Sequence, residues 1–395
     1  MADKQDKLIP KLRFPEFKND GEWEFRRLGD IADSFSGGTP TASKADYYGG
    51  DIPFIRSGEV NSSKTSLFIT QSGLENSSAK MVEKGTILYA LYGATSGEVG
   101  LAGVKGAINQ AILAIVPKPE VDKLFLYQYL KYAKGIIVNH FIQGGQGNLS
   151  ASIISNLIIP LPSLSEQKRI AAFLTSLDEL LSKTKAKLEQ LKAHKKGLMQ
   201  KLFPAPGKSF QGSRFPSIPL TYKWDYSLLG DIIHIVTPPR KLQSFDYHKS
   251  GNYPIIDQSQ ALSCGYSDDA EALVNSEAQG MIVFGDHTCV LKYVDYPFVQ
   301  GADGIKVFHS KDISRVDTRY LYYFLQSVPL VSDEYKRHFS DLKEKTVLFP
   351  TIIEQKRITS LLFSIDEMIN GHSFQVETLE KYKKGLMQQI FPASL

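Results

Sequence analysis

The sequence predicts an α+β chain: two mixed α/β domains separated by two long helices that form an antiparallel coiled coil, the whole related by a pseudo-twofold internal repeat. Three observations predict it. Residues 165–205 align without a gap to 353–393, 188 positions further on, with about half the positions identical. Both copies carry apolar residues spaced alternately four and three apart, the 3.5-residue period of a coiled coil rather than of a helix lying on a globular core. The stretch before each copy is rich in Gly, Tyr and β-branched residues with short alternating runs, the pattern of sheet.

The repeat reaches upstream. Arg13-Phe14-Pro15, Trp23 and Leu28-Gly29-Asp30-Ile31 match Arg214-Phe215-Pro216, Trp224 and Leu229-Gly230-Asp231-Ile232 at an offset of 201. Gly85 matches Gly280, and 125–130 matches 320–325, at 195. Deletions of 6 and 7 residues in the second half account for the drift to 188. The order is A–B–A′–B′, read as an N-terminal extension (1–19), a first α/β domain (20–162), a central helix (163–206), a second α/β domain (207–350) and a C-terminal helix (351–395). Shared anchors with diverged intervening loops fit one scaffold retuned twice.

In A the runs Ile52–Ile55, Thr86–Leu91 and Ala111–Val116 read as strands of a small sheet, with a helix near Leu124–Tyr132. In A′ the counterparts are Met281–Phe284, Gly304–Phe308 and Tyr320–Ser327. The loops between them are dense in hydrogen-bonding side chains. A offers Arg56, Ser57, Tyr92, Thr95, Ser96, Asn109, Gln110, Gln143, Gln146 and Asn148; A′ offers Arg240, Gln258, Ser259, His287, Thr288, Gln300, Asp303 and Lys343. Asn and Gln carry a paired donor and acceptor, and Arg paired donors, that match base edges, and the interleaved glycines let backbone approach phosphate, so these are the candidate DNA-binding residues.

B is expected to start at an N-cap on Ser165 and to stop at Pro204, spanning about 54 Å at 1.5 Å per residue. Its seam reads Ile170, Leu174, Leu177, Leu181, Thr184, Leu188, Leu191, Lys195, Leu198, Leu202; in B′ it reads Ile358, Leu362, Ile365, Ile369, His372, Val376, Leu379, Lys383, Leu386, Ile390. Two such helices in one chain most simply pair with each other, and the intervening domain lets the chain return antiparallel. Polar residues interrupt both seams at the same places, a device that fixes register. Charge separates the helices: nine Lys/Arg against four Asp/Glu in 165–202, five against five in 353–390.

Composition excludes several classes. The 46 Lys and Arg against 42 Asp and Glu leave a net charge of +4, too weak to name a partner. Cys264 and Cys289 form no CxxC pair, so neither a zinc site nor a disulfide framework is expected. The amino terminus is charged where a secretory leader is apolar, and no stretch approaches the roughly 18 apolar residues of a membrane span. A soluble, cytoplasmic protein with no membrane partner is the expectation.

Catalytic constellations are missing. Gly207-Lys208-Ser209 imitates the tail of a phosphate-binding loop, but its first glycine falls on Leu202. Thr237-Pro238-Pro239-Arg240 lacks the Asn or Asp that an amino-methyltransferase uses, and Asp333-Glu334-Tyr335-Lys336 lacks the acidic partner of a nuclease core; they read as a turn and a solvated helix face. The pattern favours a binding or scaffolding chain over an enzyme. A coiled-coil scaffold whose α/β domains bind proteins or glycans stays open as the alternative to DNA reading.

The LGDI of 28–31, the SGGTP of 36–40, Gly50–Arg56, Asn109-Gln110 and above all the doubled pair of EQKRI (166–170, 354–358) and KKGLMQ (195–200, 383–388) resemble the DNA-specificity subunit of type I restriction–modification systems. A′ departs from that pattern, with Val236-Thr237-Pro238-Pro239 for SGGTP and Gly301-Ala302 or their neighbours for Asn109-Gln110. The resemblance implies that A and A′ are target-recognition domains, each reading half of a bipartite site in double-stranded DNA, with the helices setting the spacer. It also implies two docked modification (methyltransferase) subunits that bring S-adenosylmethionine to adenine N6. Restriction (translocase/nuclease) subunits would bring ATP and Mg, leaving no catalytic residue and no cofactor on this chain.

Overall fold

The computed structural model describes residues 9–141, 148–204, 215, 224–275, 280–301, 304–328 and 337–392. The chain divides into two compact units: Met1–Thr184 with Gln375–Leu395, and Lys185–Phe374. Each contains one α/β domain together with parts of both long helices.

The first unit runs β1 (Glu24–Arg27), α1 (Leu28–Ile31), β2 (Ala32–Ser36), β3 (Tyr48–Ile55), β4 (Phe68–Ile69), α2 (Gln71–Glu75), β5 (Lys80–Val82), β6 (Ile87–Ala90), β7 (Val99–Leu101), β8 (Gly106–Ile108), β9 (Ile112–Pro117), α3 (Lys123–Phe141), α4 (Ala151–Ser155), β10 (Ile158–Leu161) and the first part of α5 (Leu164–Leu202). One sheet has the order β2-β9-β6-β7, the other β4-β3-β8-β5, and β1 pairs with β10. Alternation along β6 builds the layers: Ile87 and Tyr89 pack with Trp23, Phe125 and Leu126, whereas Leu88 and Ala90 pack with Ile55, Val82 and Ile108 of the second sheet. Two sheets therefore stand where the sequence suggested one. A strand covered on both faces reads as a continuous apolar run, and strands of two or three residues leave no period to detect.

The second unit repeats this plan: β11 (Asp225–Leu228), α6 (Leu229–Ile232), β12 (Ile233–Val236), β13 (Tyr253–Ile256), β14 (Gly265–Ser267), β15 (Leu273–Val274), β16 (Met281–Gly285), β17 (Leu291–Val294), β18 (Phe298–Gln300), β19 (Ile305–Ser310), α7 (Thr318–Ser327), α8 (Phe339–Lys343), β20 (Thr346–Phe349) and the first part of α9 (Ile352–Ile390). Its sheets have the orders β12-β19-β16-β17 and β14-β13-β18-β15, with β11 on β20. The parallel pair β3–β8 recurs as β13–β18. The later deletion shows as helix length: α3 has 19 residues, α7 has 10.

Every one of the ten seam positions on each long helix is buried or half-buried. In the first unit Ile170 and Leu174 share a core with Leu386 and Ile390; in the second Leu198 and Leu202 share one with Ile358 and Leu362. Both pairings are antiparallel, as expected for two helices joined through an intervening domain that returns the chain. α5 starts one residue ahead of Ser165, and Ser163 takes the cap position, its carbonyl accepting from Gln167 N at 2.9 Å. Ser165 instead lies inside the first turn, its Oγ 3.1 Å from that of Ser163.

The repeated motifs fasten these helices. Gln167 Oε1 accepts from Asp122 N (2.8 Å) while its Nε2 donates to Pro162 O (2.8 Å) and Glu120 O (3.3 Å). Gln355 makes the same three bonds to Asp317 N, Pro350 O and Arg315 O at 2.8, 2.8 and 2.9 Å. Arg13 grips Glu166 through two hydrogen bonds of 2.8 and 2.7 Å. At the other ends Phe391 packs on Phe125, Tyr129 and Tyr132 of α3, and Phe203 packs on Tyr320 and Phe324 of α7. Each α/β domain thus holds the start of one long helix and the end of the other.

Candidate nucleic-acid interface

In the first domain the predicted loops meet where β3, β6 and β8 end. Asn109 N donates to Ile55 O (3.3 Å), Leu91 N to Ala111 O (2.8 Å) and Leu149 N to Leu91 O (3.0 Å). These bonds bring together the segments carrying Arg56, Tyr92, Thr95, Ser96, Asn109, Gln110 and Asn148. The 36–40 segment joins them: Gly38 N donates to Ile108 O, and Thr39 Oγ1 to Gln110 Oε1 at 2.5 Å. A side chain at Gly37 would place its Cβ 1.8 Å from Ile108 O, which accounts for the glycine there. Several candidates are partly spent inside the domain. Arg56 bonds Glu59 (3.1 and 3.3 Å) and Ser66 (3.1 Å), Ser96 Oγ donates to Leu91 O (3.0 Å), and Asn109 Oδ1 accepts from Ala111 N (3.2 Å). Ser57 opens a short turn, Ser57–Glu59, and Gln110 and Asn148 are exposed.

The second domain gathers its loops at the equivalent end. Gly301 N donates to Ile256 O (2.9 Å), as Asn109 N does to Ile55 O. Asp286 replaces Leu91: its N donates to Gly304 O (2.7 Å), its carbonyl accepts from His338 N (2.9 Å), and its carboxylate accepts from Phe339 N (2.8 Å), starting α8. Thr288 Oγ1 donates to Gln258 O (2.9 Å), and Asp257 Oδ1 accepts from the N and Oγ of Ser259 (2.9 and 2.6 Å). His287 and Thr288 are exposed at the rim.

Two candidates sit otherwise than the sequence suggested. Gln300 is 2% exposed and lies within β18, where its side chain is enclosed by the sheet rather than presented on a loop. Lys343 closes α8 beside Gly230, with Nζ 5.9 Å from the Phe339 ring, and so belongs to the framework around α6. Arg240 pairs with Asp269 at 3.1 Å. Gln143, Gln146 and Asp303 lie outside the described residues, as do Gly207–Ser209 and Asp333–Lys336.

Beneath the second loop cluster lies a charged group that the sequence did not flag. Lys292, with a side chain 5% exposed, donates to Asp257 O at 2.8 Å and stands 3.8 Å from its carboxylate. Burial lowers the lysine's pKa against the opposing pull of Asp257. Burial also works on Asp257, but the Ser259 hydrogen bonds, the Cys264 thiol and Lys292 outweigh it and hold the carboxyl below its usual range. Burial, then the Asp257 charge, pushes the Cys264 thiol up to about 11. The one signal in the sequence was a lysine inside the apolar run Leu291–Val294. Among the described residues no helix is long and apolar enough to cross a membrane, and no three His, Cys, Asp or Glu side chains gather as a metal-holding group.

Known proteins share this plan. The family described as "Type I restriction modification DNA specificity domain" matches residues 20–193 and 222–380. The type I restriction enzyme MjaVIII specificity subunit of Methanocaldococcus jannaschii is 25% identical, the alignment covering 97% of this chain and 94% of that one. The MjaIX specificity subunit of the same organism is 22% identical over 93% and 92%. The crystal structure of the type I restriction–modification S subunit from M. genitalium superposes with a TM-score of 0.72 at 18% identity, covering 98% of this chain and all of that one.

Proposed function

The chain belongs to the type I restriction–modification DNA specificity family, and we propose that it reads double-stranded DNA as the non-catalytic specificity subunit of such a system. One observation carries this reading: two copies of one scaffold keep their helix anchors and differ at the converging loops. Arg56, which offers only donors, stands where Asp257, which offers only acceptors, stands in the second copy; Asn109 is replaced by Gly301 and Leu91 by Asp286. Donor-only and acceptor-only side chains match different base edges, so the two copies suit different half-sites. The near full-length match to specificity subunits favours DNA reading over a protein- or glycan-binding scaffold.

In this reading each α/β domain addresses one half of a bipartite site and the long helices set the spacer. Two modification subunits dock on the chain in the cytoplasm and bring S-adenosylmethionine, while ATP and Mg serve restriction subunits. Mapping methylated adenines in the host genome tests it. The expected motif has two defined halves separated by a fixed, unread spacer, and exchanging residues 20–162 for another such domain changes one half alone. If the chain with its modification partner bound random duplexes without preference, at salt high enough to suppress phosphate-only contacts, the reading would be wrong.

A further inference from the structure

We infer that Lys292 is a positioning residue that fixes the loop Asp257–Ser259 in the second domain and thereby sets the base preference of that half-site. The inference rests on the DNA-reading function proposed above. It comes from how the two copies fill one equivalent position.

In the first domain Leu88 of β6 pairs with Gly100 of β7, and in the second Val283 of β16 pairs with Lys292 of β17. Gly100 and Lys292 are therefore counterparts. The glycine is required, because a Cβ there would lie 1.8 Å from Val60 O. That carbonyl belongs to the segment after Arg56, whose turn at Ser57–Glu59 holds Arg56 through the Glu59 carboxylate. The earlier deletion falls between 55 and 85 and shortens this region in the second domain. A lysine takes the vacated space.

A buried ammonium is costly unless its hydrogen bonds and charge are answered. Here both answers come from one residue, through the Asp257 carbonyl at 2.8 Å and the carboxylate at 3.8 Å. Asp257 in turn carries Ser259 on its carboxylate, and the next residue, Gln258, accepts from Thr288 through its carbonyl. Lys292 is thus the buried root of three residues at the converging end, replacing the Arg56–Glu59 bracket of the first domain. Removing its charge frees the loop to take other conformations, without touching the other reader.

The test is methylation-motif sequencing with the full modification complex, comparing wild type with Lys292→Met, which keeps the stem and removes the charge. The expected result is an unchanged first half-site and spacer, with discrimination at one or more bases of the second half-site reduced about 10-fold. Lys292→Gln, which keeps a donor for the Asp257 carbonyl, removes the charge and leaves the loop residues unaltered, serves should the first variant fail to fold, and is expected to relax the same half. An unchanged second half-site in folded protein overturns the inference. So does a uniform loss of methylation with an unchanged motif, the signature of a merely structural lysine. Absence of any bipartite motif in the wild type would instead refute the DNA-reading function, and this inference would fall with it.

Discussion

Lys383 on the last helix holds Asp178 on the first, and 188 residues earlier Lys195 on the first holds Asp366 on the last at 2.7 Å, so one ion pair is made twice with the helices' roles exchanged. Each lysine is one of the two polar residues that interrupt its seam, beside Thr184 or His372. A third helix joins each pair: Gln128 Nε2 of α3 donates to Asp178 at 2.7 Å, and Tyr323 Oη of α7 donates to Asp366 at 2.8 Å. Sliding the helices by a heptad would strand all four charges in partly buried positions. Register is held by that cost as much as by leucine packing.

Lys383→Met is therefore expected to destabilise the first unit, and Lys195→Met the second, each by about 1–3 kcal/mol, since each leaves a half-buried carboxylate without its cation. Hydrogen-exchange mass spectrometry locates the effect. Loss of protection in the unit whose pair is intact would contradict the assignment. The double variant Asp178→Leu with Lys383→Leu should recover much of the loss, because no charge is then stranded.

The same pair gives a pH dependence. Burial would raise the Asp178 pKa, but the bonds from Gln128 and Lys383 and the nearby Lys131 charge outweigh it, and the folded-state value is lowered. A lowered carboxyl contributes stability above its unfolded value, near 4, and loses it as pH falls through the folded value. Melting temperatures of wild type should drop more steeply below about pH 4 than those of Asp178→Asn. Parallel curves would remove Asp178 from the account.

Gln167→Ala and Gln355→Ala make a matched test of the helix starts. Each deletes one side chain that answers three backbone groups, and Gln167 and Gln355 are 1% and 0% exposed, so water cannot readily replace them. Each variant should lose about 1–3 kcal/mol in urea unfolding. A negligible effect in one copy would show that the repeated identity there has another cause.

Much of this was legible in the sequence because duplication doubles every signal. The seam at Ile170 and Ile358, the strands read at Thr86–Leu91 and Met281–Phe284, and the helix read at Tyr320–Ser327 all stood out by period or by repetition. The partners of the repeated polar residues were not legible. Asp178 and Asp366 share the 188 offset, but nothing in a single sequence says which lysine an aspartate faces when the helices pair antiparallel. The loops were harder still. Gln300 lies at the end of a three-residue strand that gives no alternation to read, and the role of Lys292 depends on a deletion that shows only when the two copies are laid side by side.

The paired anchors also determine how a spacer test must be built. Removing Thr184–Gln190 from α5 alone would leave α9 a heptad longer while both helices remain pinned at Gln167 and Phe203, and at Gln355 and Phe391. One of the two ion pairs would then have to break. A matched deletion of Thr184–Gln190 and His372–Thr378, positions related by the 188 offset, preserves both. It shortens each helix by about 10 Å, roughly the rise of three base pairs. Sequencing methylated adenines for this double deletion should return the same two half-sites with a spacer about three base pairs shorter. Altered half-site bases with an unchanged spacer would mean that the helices do not set the distance between the readers.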